Sequence, residues 1–421
     1  MTASLVLGLT LLLVALAAQR WLGRSAAPDS HGSSRWAHRR EWRLLGRRSS
    51  ARRMAPDGIV LGWLGGKVLQ GPREDNLLAF GVQRSGKTST LVVPTLMAWR
   101  GAVVATSTKE ELVTLTAQHR ARLGPVWVFA PLDEDLGWAQ RLGLRAATWN
   151  PVAEATGAAV AAELADLFTA EGKRGEALHW YLSASSLLTA LLLKEHAEKG
   201  DLRSLLTRLN ITPQSEYAGL AQEAKDHTSA ELFLAYASTP DREGGSVAST
   251  ARACLSLWID ERVARATRNG PDQLDVDLFL KEGGSLYLVA PAEDAERCRP
   301  LFTALIQTVL RRASARARKQ GGVLEPRLLL ALDELANFAR IPRLAAYVST
   351  GPGQGIQALL CLHDLAQLED LYGREQARTV WNNCRARLLL PGQGDLGTLE
   401  RFSRGIGQET HVFRTEHTGS G

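Results

Sequence analysis

The sequence predicts an α/β protein: a doubly wound, mainly parallel sheet, interrupted by an all-α insertion and preceded by an N-terminal transmembrane helix. Three observations carry this reading. Short apolar runs alternate with helix-length stretches over residues 58–156 and again over 276–421, the pattern of strands buried on both faces. Residues 157–275 between them offer almost no strand signal. Ala3 to Ala18 is an unbroken run of apolar or small residues.

That first run gives about 24 Å of helix, and residues 2 and 19–23 extend it toward the roughly 30 Å of a hydrocarbon core. Residues 1–23 therefore read as an anchor, with Trp21 at the interface and Arg20 able to snorkel. A cleaved secretory signal is the rival, with Ala15-Leu16-Ala17 as its cleavage site. The anchor is preferred because the start of the chain lacks the basic residues of a signal, and the cations lie downstream. That asymmetry places the bulk of the chain on the cytoplasmic side of the membrane. Residues 24–57 form a basic juxtamembrane segment containing Trp36 and Trp42. Its arginines suit anionic lipid headgroups or, alternatively, DNA phosphate.

The first part of the sheet domain begins with Asn76–Phe80 as a short buried strand. An apolar helix, Thr90–Trp99, follows it. Ala102–Thr106 is the next strand, Lys109–Arg122 a helix and Pro125–Ala130 a third strand. Helical stretches at Ala158–Phe168, Ala177–Lys199, Leu202–Leu209, Tyr217–Ala237 and Ser246–Arg268 make up the insertion. Strands return at Ser285–Ala290, Leu328–Leu332 and Ala358–Leu362, with a long helix from Ala292 to Arg318 between the first two. Arg311, Arg312, Arg316, Arg318 and Lys319 near its end read as cations complementing the helix dipole. Glu171, Lys173, Arg174, Glu176, Lys194 and Glu195 alternate in sign and read as a solvated face of the insertion.

Composition bounds the chemistry. A chain of 421 residues holds two or three domains, and a net charge of +6 suits a polyanionic partner without demonstrating one. Cys254, Cys298, Cys361 and Cys384 form no CxxC pair, and the nine histidines form no HExxH. The sequence therefore gives no zinc pattern, and the thiols read as inert residues of a reducing compartment.

Two constellations carry chemistry. Gly81-Val82-Gln83-Arg84-Ser85-Gly86-Lys87-Thr88 spells GxxxxGK[ST] between a strand and a helix. Such a loop turns successive N–H groups inward on the phosphates of a nucleoside triphosphate; Lys87 reaches the β and γ oxygens and the Thr88 hydroxyl is a Mg²⁺ ligand. Arg84, Ser85, Gly86 and Ser89 complete the candidate nucleotide-binding set with Gly81. The second constellation is Leu328–Leu332 followed by Asp333-Glu334. It places two carboxylates at the carboxyl end of a neighbouring strand, where parallel sheets bind ligands. Asp333 then belongs to the Mg²⁺ shell and Glu334 orients the attacking water; ordinary strand-end solvation is the plain alternative. His363, ending the strand 358–362, is either a polar sensor of the γ-phosphate or a histidine satisfied in a turn.

Taken together, these residues resemble the TraG/TraD-type coupling proteins of type IV secretion and conjugation. The similarity is carried by residues 31–37, 84–89 with Val93-Pro94-Thr95, and 108–112. Trp149-Asn150-Pro151, His179-Trp180, residues 286–291, Asp333-Glu334, residues 367–373 and Asn383-Cys384 continue it in the family's order. The resemblance implies a RecA-like ATPase assembled as a homo-hexamer at a bacterial inner membrane. It further implies that the protein recruits a relaxase–DNA complex and hydrolyses ATP with Mg²⁺ to pass single-stranded DNA or protein to the secretion channel. Alternatives are a double-stranded DNA translocase of the chromosome-segregation kind and a nucleotide-gated docking platform that does not hydrolyse.

The chain departs from the family pattern at several positions. Ser107 stands where aspartate is common, His363 where glutamine is usual, and Pro352 where many members carry arginine. The arginine finger is therefore sought elsewhere, with Arg385 and Arg387 as candidates. One transmembrane helix is read where many members have two. Family sequences also run past residues 405–410, so a sheet short of its final strands is expected.

Overall fold

The computed structural model describes residues 57–64, 67–133, 137–144, 146–172 and 177–407. The anchor at 1–23 lies outside them, as does the basic segment except Asp57. Among the described residues no helix is long and apolar enough to cross a membrane.

Among the described residues, nine strands form two sheets. The strands β1 (Val60–Leu64) and β2 (Lys67–Gln70) make an antiparallel hairpin that the sequence reading missed. The hairpin is held to the helix after the phosphate loop by Val60 N–H donating to the buried Thr95 hydroxyl at 3.0 Å.

The main sheet contains β3 (Leu77–Phe80), β4 (Ala102–Ser107), β5 (Val126–Phe129), β6 (Ser285–Val289), β7 (Leu328–Leu332), β8 (Ile356–Leu362) and β9 (Ala386–Leu389). Their order is β5-β6-β4-β7-β8-β3-β9, and every pairing is parallel. The five central strands are buried at every residue, whereas β9 at one edge alternates between half-buried and exposed. This explains why the central strands were legible as continuous apolar runs and β9, with Arg387 inside it, was not.

The acidic strand β7 is not the direct neighbour of β3, as the sequence reading had it. β8 lies between them. This is the doubly wound arrangement in which a strand is inserted between the phosphate-loop strand and the acidic strand, leaving the carboxyl ends of all three on one rim.

Between β5 and β6 the chain is helical, including Ala158–Thr169, Leu178–Glu198, Leu202–Ile211 and Asp241–Cys254. The stretch 217–237, read as one helix, is two: Tyr217–Glu223 and His227–Ala237. Asp226 breaks it by accepting from Ser229 N–H as the cap of the second. Likewise 246–268 divides after Cys254, and Asp260 caps a separate short helix. The 292–318 helix restarts as Arg299–Lys319, with Pro300 in its first turn.

The helical segment leaves and rejoins the sheet through a stitched neck. Trp149 N–H donates to the Ala266 carbonyl at 2.9 Å, Leu274 N–H to the Thr148 carbonyl at 2.8 Å, and Asn150 Nδ2 to Gly200 and Asn269. Arg311 and Arg312 are not a solvated helix end. They pair with Glu154, Glu163 and Asp277, tying Arg299–Lys319 to the neck. Lys194 and Glu195 are likewise buried rather than part of a solvated face. Glu195 accepts from Arg208 Nε at 2.7 Å, and Lys194 pairs with Glu198 and Glu223.

Among the described residues, contacts place 57–395 in one unit and 396–407 in a second. In the second, the helix Leu396–Ile406 carries an Arg404–Glu400 ion pair.

Candidate active site

The site is built where β3, β8, β7 and β4 end. Gly81 closes β3: its N–H donates to the Leu362 carbonyl of β8 at 3.1 Å. A β-carbon there would lie 2.4 Å from Ser85 Oγ and 3.0 Å from Leu390 Cβ, so a larger residue would have to displace both side chains. Arg84 and Gly86 take left-handed backbone, with φ of 61° and 91°. Alternation of this kind turns consecutive N–H groups to one side and makes an anion-binding concavity. The helix then starts with a π-turn over Thr88–Val92 and continues as Val93–Ala98. Pro94 lacks an N–H and its ring crowds the carbonyl four residues back, which accounts for the widened turn.

Lys87 is buried, and its ammonium donates to the carbonyls of Gly81 and Val82 in its own loop. The Thr88 hydroxyl donates to Asp333 Oδ2, joining two motifs 245 residues apart. Asp333 is held from behind as well: Thr106 of β4 donates its hydroxyl to the Asp333 carbonyl at 2.6 Å. The other carboxylate oxygen, Oδ1, is buried without a hydrogen-bond partner. Burial pushes the Asp333 carboxyl above its ordinary range, and the Thr88 hydrogen bond opposes part of that shift.

Glu334 turns the chain out of the sheet with φ 54° and ψ 49°, a left-handed conformation that costs about 1–3 kcal/mol in a non-glycine residue. Asn337 fixes the turn twice. Its N–H donates to the Glu334 carbonyl at 2.9 Å, and its side-chain amide to Glu334 Oε2 at 3.1 Å. Sequence reasoning missed Asn337 and Thr106. An amide three residues after the acidic pair is the only signal either offered.

Residues 83–89 and 107–109 line one cleft of about 410 Å³, together with Glu111, Leu112, Leu115, Asp333 and Glu334. The structure thus brings Arg84, Ser85, Gly86, Lys87, Thr88, Ser89, Asp333 and Glu334 together, with Gly81 at the root of the loop. His363 stands apart from that wall. Its main chain is pinned by Gln367 and Gln393, while its Nε2 is buried and unpartnered. Arg385 and Arg387 lie at the amino end of β9, away from this rim. Arg385 pairs there with Asp75 at 3.4 Å, and Arg387 donates to the Trp381 carbonyl and stacks on its ring. Pro352 is buried before β8, its carbonyl accepting from Arg327. Cys298, Cys361 and Cys384 are buried, and desolvation raises all three thiols, Cys298 and Cys384 to about 12.

The model of the family described as type IV secretory system conjugative DNA transfer matches residues 47–420. The chain belongs to that family. The conjugal transfer protein TraG of Escherichia coli is 28% identical over 432 residues, covering 93% of this chain and 66% of TraG. The protein VirD4 of Agrobacterium fabrum is 26% identical over 408 residues, 92% of this chain and 58% of VirD4. The chain therefore spans just under two thirds of the length of TraG and less of VirD4.

Among solved structures, the plasmid coupling protein TrwB in complex with ADP and Mg²⁺ superposes with a TM-score of 0.62 at 19% identity. It covers 91% of this chain and 85% of TrwB. The same protein with the non-hydrolysable GTP analogue GDPNP gives 0.63 over the same shares. At this identity the likeness is one of fold, and it bears out the RecA-like parallel sheet that the resemblance implied.

Proposed function

We propose that this family member is an ATP-driven coupling protein. It would recruit a relaxase–DNA complex at the membrane and pass single-stranded DNA or protein to a type IV secretion channel. One observation supports an engine at its centre: Thr88 of the phosphate loop and Asp333 of the acidic strand meet in a hydrogen bond. The residues fit a magnesium nucleotide. A hydroxyl, a buried carboxylate with a free Oδ1 and a lysine resting on its own loop's carbonyls are the hard-oxygen and cationic groups such a ligand needs.

In this reading Gly81 to Ser89 hold the triphosphate, with Arg84, Ser85 and Gly86 shaping the concavity. Lys87 leaves the Gly81 and Val82 carbonyls for the phosphate oxygens. Thr88 and Asp333 would hold Mg²⁺, which would supply positive charge to offset that of the phosphates. Glu334, clamped by Asn337, orients a water toward the γ-phosphate. His363 serves from behind the loop as a positioning group, its unpartnered Nε2 being the supporting feature. TraG is named a conjugal transfer protein and TrwB a plasmid coupling protein, which supports the assignment of substrates and channel. Division at 156 and 275 into sheet and helical domains, a hexameric ring and the anchor at 1–23 complete the proposal.

ATP turnover by the full-length chain, with and without single-stranded DNA, tests it. The expected result is DNA-stimulated hydrolysis that falls at least about 100-fold in Glu334→Gln. Equal rates for the two proteins would remove hydrolysis from the account, and tight ATP binding without turnover would favour the docking platform.

A further inference from the structure

Part of the cleft lining comes from the end of β4 and the turn after it, Ser107 to Lys109. Ser107 there is 6% exposed, and its hydroxyl does two things at once. It accepts from Lys109 N–H at 3.2 Å and donates to the Lys109 carbonyl at 2.7 Å. Both main-chain groups of Lys109 are thus held by one side chain, a local clamp available to a hydroxyl because it is donor and acceptor together. An ionised aspartate at 107 would only accept, and would repel the carbonyl.

The clamp is registered to the acidic pair. Thr106, the preceding residue, pairs with Leu332 in the sheet and donates to the Asp333 carbonyl. Lys109 lines the same cleft as Lys87, Thr88, Asp333 and Glu334, and among the described residues no carboxylate forms an ion pair with it. The cleft's other cations, Arg84 and Lys87, both come from the phosphate loop itself. Among the described residues, Lys109 is the one lining cation that comes from a segment other than the phosphate loop.

We propose that Lys109 is a second catalytic cation acting within the same chain, contacting the γ-phosphate from outside the phosphate loop and positioned there by Ser107. In phosphoryl transfer, negative charge spreads over the equatorial oxygens of the transferred group, and a cation outside the phosphate loop stabilises it at that moment. The inference rests on the hydrolysis reading above and deepens it.

The test compares the full-length chain with Lys109→Ala, Lys109→Arg, Ser107→Ala and Glu334→Gln. Turnover is measured with Mg²⁺ and single-stranded DNA, and affinity for ATP and for ADP by titration. Lys109→Ala is expected to lose about 100-fold in kcat and to weaken ATP while leaving ADP within about twofold. Lys109→Arg should keep most of the rate, and Ser107→Ala should lose about tenfold in kcat as the clamp opens. Wild-type kcat in Lys109→Ala beside an inactive Glu334→Gln overturns the lysine's role and leaves the hydrolysis reading intact. Equal weakening of ATP and ADP also overturns it, placing the lysine on base or ribose. Glu334→Gln turning over at the wild-type rate brings down the hydrolysis reading on which the inference stands.

Discussion

Two buried cations sit at opposite ends of the same sheet, and they are satisfied in different ways. Lys87, at the carboxyl rim, donates to Gly81 and Val82, carbonyls of the loop that carries it. Arg120, fully buried at the amino end, donates to Ser285 Oγ at 2.8 Å and to the carbonyls of Trp99, Gly101 and Gly283. Neither has a carboxylate among these partners. Burial lowers the Arg120 guanidinium to about 10, which leaves it charged at neutral pH. The difference lies in where the partners come from. Those of Arg120 are gathered from the starts of β4 and β6 and the end of the preceding helix, so the cation is a pin between segments. Those of Lys87 are local and can be exchanged for a ligand's oxygens without unfastening anything.

The sharpest way to break this contrast is to remove each charge. Arg120→Met leaves at least three buried carbonyls without a donor and is expected to cost about 3–5 kcal/mol of stability, read as a large fall in thermal midpoint. Lys87→Met should leave the midpoint nearly unchanged and remove nucleotide binding and turnover. Similar melting shifts for the two would erase the distinction between pin and exchangeable cation.

A smaller effect sharpens the same idea at the neck. Asp260 accepts from Arg262 Nε and Nη2 at 3.0 and 2.8 Å and caps the helix Glu261–Ala266, while Arg262 also donates to the Leu132 carbonyl beyond β5. The Arg262 hydrogen bond leads in holding the Asp260 carboxyl down at about 2. A folded value below the unfolded one gives stability that is present above about pH 4 and lost as pH falls toward 2. Asp260→Asn should therefore melt lower than the parent at pH 7, and the gap should close near pH 2. A gap that stays constant across that range would deny the carboxylate its part in fastening the neck.

The same contrast explains what was legible in the sequence. Gly81–Thr88 and Leu328–Glu334 could be read because each motif carries its chemistry in consecutive residues. Their convergence on one Mg²⁺ site was expected from the motif chemistry, but the strand order that achieves it, with β8 between them, was not legible. Arg120 lies unmarked inside the helical stretch 109–122, and Arg311 and Arg312 read as dipole partners, because their acceptors come from distant segments. Lys194 and Glu195 alternate in sign as surface residues do, yet packing against Arg208 and Glu223 buries them. Asp226 and Asp260 were available as helix caps, but each sits inside a stretch whose composition is helical throughout.

The central claim is that two distant motifs assemble one magnesium–nucleotide pocket, and anomalous diffraction tests it most directly. Crystals of the protein grown with Mn²⁺ and a non-hydrolysable ATP analogue should show one metal peak at about 2.1 Å from Thr88 Oγ1, on the Asp333 side of the triphosphate. A metal peak remote from both residues, or a triphosphate bound away from the Gly81–Ser89 loop, would contradict the account.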